Sequence, residues 1–243
     1  MNIIAVIPAR YASSRLPGKP LLVLNGKPMF YWVYLSAQNT QLFNKIIVAT
    51  DDQRIVDSCI ELGIDVEMTS EKHPTGTDRV AEVAKKYECD VIVNIQGDEP
   101  LLEPNVIKSA VESLTADESV EVVNLMTKII NPVDLINNTV PKVVVNDDSI
   151  GIYLSRSPVP HPKGSIDYDY YKQVCVYAFR KVSLLKFADY DRSRNERIED
   201  IEILRLIDNG IKVKFVNVNT ASVAVDTLKD YKFVKRLMES RHA

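Results

Sequence analysis

Runs of apolar, β-branched residues alternate with mixed polar stretches through the first half of the chain. "IIAVIPA" and "KIIVAT" are continuous and β-branched, which predicts strands covered on both faces, as in a parallel sheet. Between them "PMFYWVYLSAQNT" predicts a helix with Pro28 in its first turn. "DDQRIVDSCIELG" predicts a second helix closed by Gly63, and "TGTDRVAEVAKKY" a third, begun by Thr75 or Thr77. "DVIVNIQGD" is the clearest strand. Strand and helix in alternation predict a twisted sheet with helices on both faces.

After about residue 120 the pattern changes. "PKVVVNDDSIGIYLSR" reads as a hairpin turning at Asn146-Asp147-Asp148, and "YYKQVCVYAFRK" as a further strand. The Pro-rich, charged "SPVPHPKGSIDYDY" between them is a loop. "NERIEDIEILRLIDNG" predicts one amphipathic helix closed by Gly210, followed by a strand, "KVKFVNV", and a terminal helix, "TLKDYKFVKRLMESR". We read one domain, 1–243, carrying an antiparallel extension inserted around 120–180.

Composition narrows the function. The chain has 243 residues, 46% of them apolar, and a net charge of −3. A core is affordable, and a generally basic nucleic-acid binder is excluded. Cys59, Cys89 and Cys175 show neither disulfide nor zinc spacing. The opening apolar run is too short for a leader or a membrane span, so a soluble cytoplasmic protein is expected.

Five stretches carry candidate chemistry. "IPARYASSRLPGKPL" ends the first strand in a loop with Arg10, Ser13, Ser14, Arg15 and Lys19. It is either a solvated basic loop or a cradle for an anion held by side chains and amides. It is neither G-x-G-x-x-G nor a P-loop, since Gly18-Lys19 precedes Pro20. In "NIQGDEP", Asp98 lies past the carboxyl end of a buried strand, where ligands bind in open α/β sheets. Such an Asp is either a turn residue or a magnesium ligand. In "AVDTLKDY", Asp226 precedes a capping box of Thr227 and Asp230. If Asp226 met Asp98 in space, the two would form a metal site, which spacing alone does not decide. In "HPTGTDRVAEV", Arg79 stands in a helix's first turn, where the dipole disfavours a cation. Either a bound anion or an ion pair with Glu82 would explain it. Finally, Lys142, Ser155, Arg156, Lys172, Gln173 and Tyr177 fall on the inserted strands, where Arg156 has the fork geometry to clamp a carboxylate.

Together these motifs resemble the 3-deoxy-manno-octulosonate cytidylyltransferase (CMP-Kdo synthetase) family. "IPARYASSRLPGKPL", "HPTGTDRVAE", "VIVNIQGDEP", "YLSRSPVP" and "VDT" carry the resemblance along the whole chain. It implies a Rossmann-like, glycosyltransferase-A-like α/β fold with a mainly parallel sheet. The implied reaction couples CTP to a 2-keto-3-deoxy sugar acid, Kdo, giving CMP-Kdo and pyrophosphate for lipopolysaccharide or capsule synthesis. By resemblance, Ala9, Arg10, Ser13, Arg15, Lys19, Arg79 and Gln96 hold the nucleotide, and Asp98 and Asp226 hold magnesium. Arg15 and Lys19 act with those carboxylates in catalysis. Arg156, Gln173, Tyr177 and Glu202 bind the sugar acid, and a homodimer forms through the inserted segment. Two positions depart from the family pattern. Gln173 stands where a sugar-facing histidine is expected, and Ile203 replaces a glutamine. A different or modified sugar acid, or a non-catalytic nucleotide binder, is the alternative these departures leave open.

Overall fold

The structure is a computed structural model. It describes residues 1–12, 15–164, 168–220 and 222–241; Ser13, assigned above to the nucleotide, lies outside them, as do Ser14 and His242. In chain order, β1 is Ile3–Pro8, a 3-10 turn covers Lys19–Leu21, and β2 (Val23–Leu24) pairs with β3 (Lys27–Pro28). Then follow α1 (Met29–Asn39), β4 (Lys45–Thr50), α2 (Gln53–Glu61), β5 (Val66–Met68), α3 (Gly76–Lys86), β6 (Val91–Ile95) and α4 (Pro104–Thr115). The later elements are β7 (Val122–Lys128), α5 (Pro132–Ile136), β8 (Lys142–Val145), β9 (Gly151–Ser155) and β10 (Tyr171–Arg180). Last come α6 (Lys181–Asp189), α7 (Arg194–Glu199), α8 (Leu204–Asp208), β11 (Val213–Asn217) and α9 (Leu228–Arg241). The chain forms two compact units, one of residues 1–108 with 220–243, the other of 109–219.

In the first unit the strands run β6-β1-β4-β5, all parallel. Their apolar runs explain this. Ala5, Val6 and Ile7 of β1 and Ile92, Val93 and Ile95 of β6 are fully buried, as strands covered on both faces must be. Helix starts follow local chemistry. The Asp52 side chain caps α2 and Thr75 caps α3, accepting from the Asp78 amide. At the far end of the chain, Thr227 and Asp230 bond reciprocally, Asp230 taking the Thr227 amide at 2.8 Å, which is the expected capping box of α9. Val234 and Met238 of α9 then pack with Leu24, Met29, Leu101 and Val225.

The second unit is mixed. β11 is parallel to β7, while β7–β10, β10–β8 and β8–β9 are antiparallel. The expected hairpin is β8–β9, and its turn is held by Asn146 Oδ1, which accepts from the amides of Asp148 and Ile150. The single helix expected over 195–210 is not formed. α7 ends at Asp200, whose backbone is left-handed at φ 52, and α8 restarts at Leu204. Arg156 supplies the physical reason: its Nε donates to the Glu199 carbonyl at 2.5 Å and its Nη2 to the Asp200 carbonyl at 2.9 Å. Those acceptors, which a continuing helix would use itself, are satisfied from outside. None of the three cysteines is in a disulfide, and burial pushes the Cys59 thiol up to about 12.

A buried ion pair fixes α7 against α8. Arg205 grips Glu196 through two bonds of 2.8 Å, with the Glu196 side chain 0% exposed. Removing one partner strands the other charge in the core. Glu196→Ala is therefore expected to cost about 3–5 kcal/mol, read as a lower urea midpoint. A midpoint unchanged from the parent chain would refute this account of the pair.

Candidate active site

β1, β4 and β6 are parallel, so their carboxyl ends open on one edge of the first unit's sheet. Ala9 follows β1, Asp51 and Asp52 follow β4, and Gln96 and Asp98 follow β6. Such an edge, where strands end and helices begin, is the place for ligands in open α/β sheets.

The loop after β1 is built to return a cation to that edge. Its base closes with the Gly18 amide donating to the Tyr11 carbonyl at 2.8 Å. Gly18 is left-handed at φ 69, and a Cβ there would meet the Tyr11 ring at 3.2 Å. Arg54 stacks on that ring, 3.3 Å from its centroid. Lys19 then begins the 3-10 turn with Pro20 next. Its Nζ donates to Asp98 Oδ2 at 2.7 Å and to Asp226 Oδ1 at 3.2 Å. Arg15 Nη2 lies 3.3 Å from the same Asp226 oxygen. A backbone bond of 2.9 Å from the Val225 amide to the Asp98 carbonyl ties the two acidic segments together. Asp98 and Asp226, which spacing left unconnected, therefore share one cation. Burial acts to lower the Lys19 ammonium, Asp98 and then Asp226 act to raise it, and it ends above its ordinary value.

Other nucleotide-side residues gather behind. Arg79 is fully buried and pairs with Asp51 at 2.5 Å, and it also donates to Thr69 Oγ1. Asp51 thus meets the cation that the helix dipole disfavours. Glu82, the other partner considered for Arg79, pairs with His73 and accepts from the Ser70 amide. Gly76 opens α3 against Gln96, where a Cβ would come within 2.9 Å of Nε2. Arg10 is exposed, and Ala9 is buried. A groove of about 310 Å³ near Lys45 and Asp65 lies at the start of β4, the opposite end from these residues.

The two carboxylates fit magnesium. Each side chain is about a quarter exposed, 25% and 26%, and both contact the Lys19 ammonium, with Arg15 also beside Asp226. Hard oxygens in that number, with room for phosphate and water, are what magnesium takes.

The second unit holds the residues assigned to the sugar acid. Arg156 donates to the carbonyls of Glu199, Asp200 and, at 2.9 Å, Asn138, so three of its donors serve the backbone. Gln173 and Tyr177 lie together on β10, with Gln173 Nε2 3.3 Å from Tyr177 Oη. Glu202 is half-buried between α7 and α8, and Ile203 is buried. Asn124, which the sequence reading missed, accepts from Gln173 Nε2 at 2.8 Å and stands opposite Tyr177 in the β7–β10 pairing. Its signal was a polar residue inside the buried run "VVNLM". Lys142 is fully buried, and its ammonium donates to the carbonyls of Asn137, Val140 and Arg156.

Paired carboxylates and cations at the carboxyl edge of a parallel sheet, without a glycine-rich phosphate loop, are the layout of an α/β nucleotidyltransferase. The chain belongs to the cytidylyltransferase family, whose model matches residues 4–214. It is 40% identical over 239 residues to the 3-deoxy-manno-octulosonate cytidylyltransferase of Syntrophotalea carbinolica, covering 95% of this chain and 96% of that one. It is 42% identical to the enzyme of that name from Lawsonia intracellularis, over 97% and 94% of the two chains. Among solved structures it resembles CMP:2-keto-3-deoxy-manno-octonic acid synthetase complexed with CTP. That match has a TM-score of 0.93 and 37% identity, covering 99% of this chain and all of the other.

If the Lys19 ammonium is what lets Asp98 and Asp226 stand together, Lys19→Met leaves two carboxylates facing each other. We expect a stability loss of about 1 kcal/mol, discounted for partial exposure. Millimolar magnesium should recover more of it in the variant than in the parent. Melting curves with and without magnesium check this, and identical curves for the two proteins would rule it out.

Proposed function

We infer that this chain transfers the cytidylyl group of CTP to 3-deoxy-manno-octulosonate, giving CMP-Kdo and pyrophosphate. The observation that carries the reading is the Lys19 ammonium shared by Asp98 and Asp226, with Arg15 beside it, in a chain about 40% identical to curated enzymes of that activity over nearly its full length.

The chemistry needs little covalent work from the protein. The anomeric hydroxyl attacks the α-phosphorus and loses its proton, the new P–O bond forms, and the bond to pyrophosphate breaks in line. Lys19 and Arg15 hold carboxylates in the free chain. A triphosphate offers them more charge, and there they neutralise what develops on the departing pyrophosphate. Arg10 adds a contact from the same loop. Ala9 and Gln96 frame the nucleotide at the ends of β1 and β6. Arg79 acts from behind, fixing Asp51 and Thr69. Asp98 and Asp226 would hold magnesium, which when bound would supply charge neutralisation and a lower pKa for the attacking hydroxyl. Gln173, Tyr177 and Glu202 take the sugar acid, and Arg156 shapes that region by ending α7. The reaction belongs in the cytoplasm, where CTP is available; among the described residues no helix is long and apolar enough to cross a membrane.

Pyrophosphate release with CTP, magnesium and Kdo tests this directly. The parent chain should turn over. Asp98→Ala should lose roughly a thousandfold in kcat while still binding CTP, since two carboxylates stabilise the transferring group. CTP binding without turnover on Kdo would sink the assignment. The second unit also exposes Ile130, Val133 and Ile136, at 85%, 61% and 73%. Apolar side chains grouped in that way suit a subunit contact. Sedimentation should therefore give a mass twice that of the chain, and a monomer at micromolar concentration would refute the dimer.

A further inference from the structure

Asn124 stands in β7 with 0% exposure. Its Nδ2 donates to the carbonyls of Val174 and Val176, at 3.0 and 2.9 Å. These carbonyls lie at the irregularity in β10, where the pairing with β7 shifts register between Val174 and Tyr177. Only the NH2 end of an amide can serve two carbonyls. The backbone therefore fixes which way Asn124 faces, and its Oδ1 is left to accept. Gln173 meets that oxygen with Nε2 at 2.8 Å. The same Nε2 reaches Tyr177 Oη at 3.3 Å, so both of its hydrogens are committed. What Gln173 has left to offer is its carbonyl oxygen.

We propose that Asn124 is a positioning residue for the sugar acid: it holds Gln173 with its NH2 inward, so that position 173 presents an acceptor and selects a substrate hydroxyl. The proposal rests on Gln173 belonging to the sugar-acid site, as inferred above, and deepens that reading. The polarity runs from two strand carbonyls through two amides to the substrate. It also excludes an alternative, because an outward carbonyl repels a carboxylate. Gln173 thus reads the hydroxyls of a polyhydroxylated acid and not its acid group. A histidine at 173 can obey the same rule, with one ring N–H toward Asn124 and the other nitrogen outward as acceptor. A glutamate cannot, since an ionised carboxylate has no proton for Asn124 Oδ1.

Two measurements test the relay. In steady-state pyrophosphate release, Gln173→His should keep the KM for Kdo within about threefold. Gln173→Glu should raise it roughly tenfold or more, the scale of one lost hydrogen bond in a selective site. The KM for CTP should not move in either variant. Asn124→Ser, Gln173→Leu and their double variant form a cycle. If Asn124 acts through Gln173, their effects on the KM for Kdo do not add. Additive effects, a harmless Gln173→Glu, or a Gln173→His as poor as Gln173→Glu would overturn the proposal. The second measurement needs no turnover. In the free chain the two Gln173 side-chain amide protons, assigned by their loss in Gln173→Leu, should exchange slowly with solvent. Fast exchange would refute the relay itself, whereas slow exchange in a chain inactive on Kdo would refute only the functional reading.

Discussion

The site depends on one ammonium held by two carboxylates. Lys19, Asp98 and Asp226 come from the two ends and the middle of the first unit's sequence, and Lys19 Nζ is within 3.2 Å of an oxygen of each acid. Without a cation there, like charges brought together by the fold would repel at short range. The neighbouring cations are also paired, Arg79 with Asp51, Arg54 with Asp52 and Arg15 with Asp226. An anion site of this kind is not a bare positive patch. Lys19, Arg15, Arg54 and Arg79 are already oriented against carboxylates, and in the reading proposed above an incoming triphosphate would compete with those carboxylates for Lys19 and Arg15. That arrangement reconciles a phosphate-handling site with a chain whose net charge is −3.

The first half of the fold was legible because its strands are buried on both faces and its helices carry local caps. Thr75, Gly63 and the Thr227–Asp230 box act within a few residues, so spacing suffices to read them. Elements whose definition comes from afar were harder. The break at Asp200 is made by Arg156, more than forty residues upstream, and nothing in "NERIEDIEILRLIDNG" signals it. α4 was legible and still missed: Val106, Ile107, Ala110, Val111 and Leu114 have helical spacing and are buried. β7 was legible as well and was passed over, although Asp117, whose Oδ1 accepts from the Ser119 amide, marks a turn just before it.

For the site, residue types were readable and pairings were not. Asp98 was suggested by its place after a strand, yet its meeting with Asp226 is a tertiary fact. Arg79 drew attention as a cation in a helix's first turn, and the sequence offered Glu82 as partner. The fold chose Asp51, which follows a different strand. Arg156 was readable as a fork for carboxylates, and in the free chain its fork is turned to three backbone carbonyls.

The two departures from the family pattern have different physical weights. Ile203 is 1% exposed, among Ile201, Leu204 and Leu206, so an apolar side chain there contributes packing. A glutamine at such a position would need partners for both ends of its amide. Gln173 is different: it is half-buried and bonded, and its direction is dictated by Asn124. Replacing a histidine with a glutamine matters to selectivity only if the group turned outward changes from acceptor to donor. The Asn124 amide prevents that change, because its own NH2 is held by Val174 and Val176. Neither position then requires a different sugar acid: one is filled by the core, and the other keeps the polarity that a hydroxyl of Kdo can use.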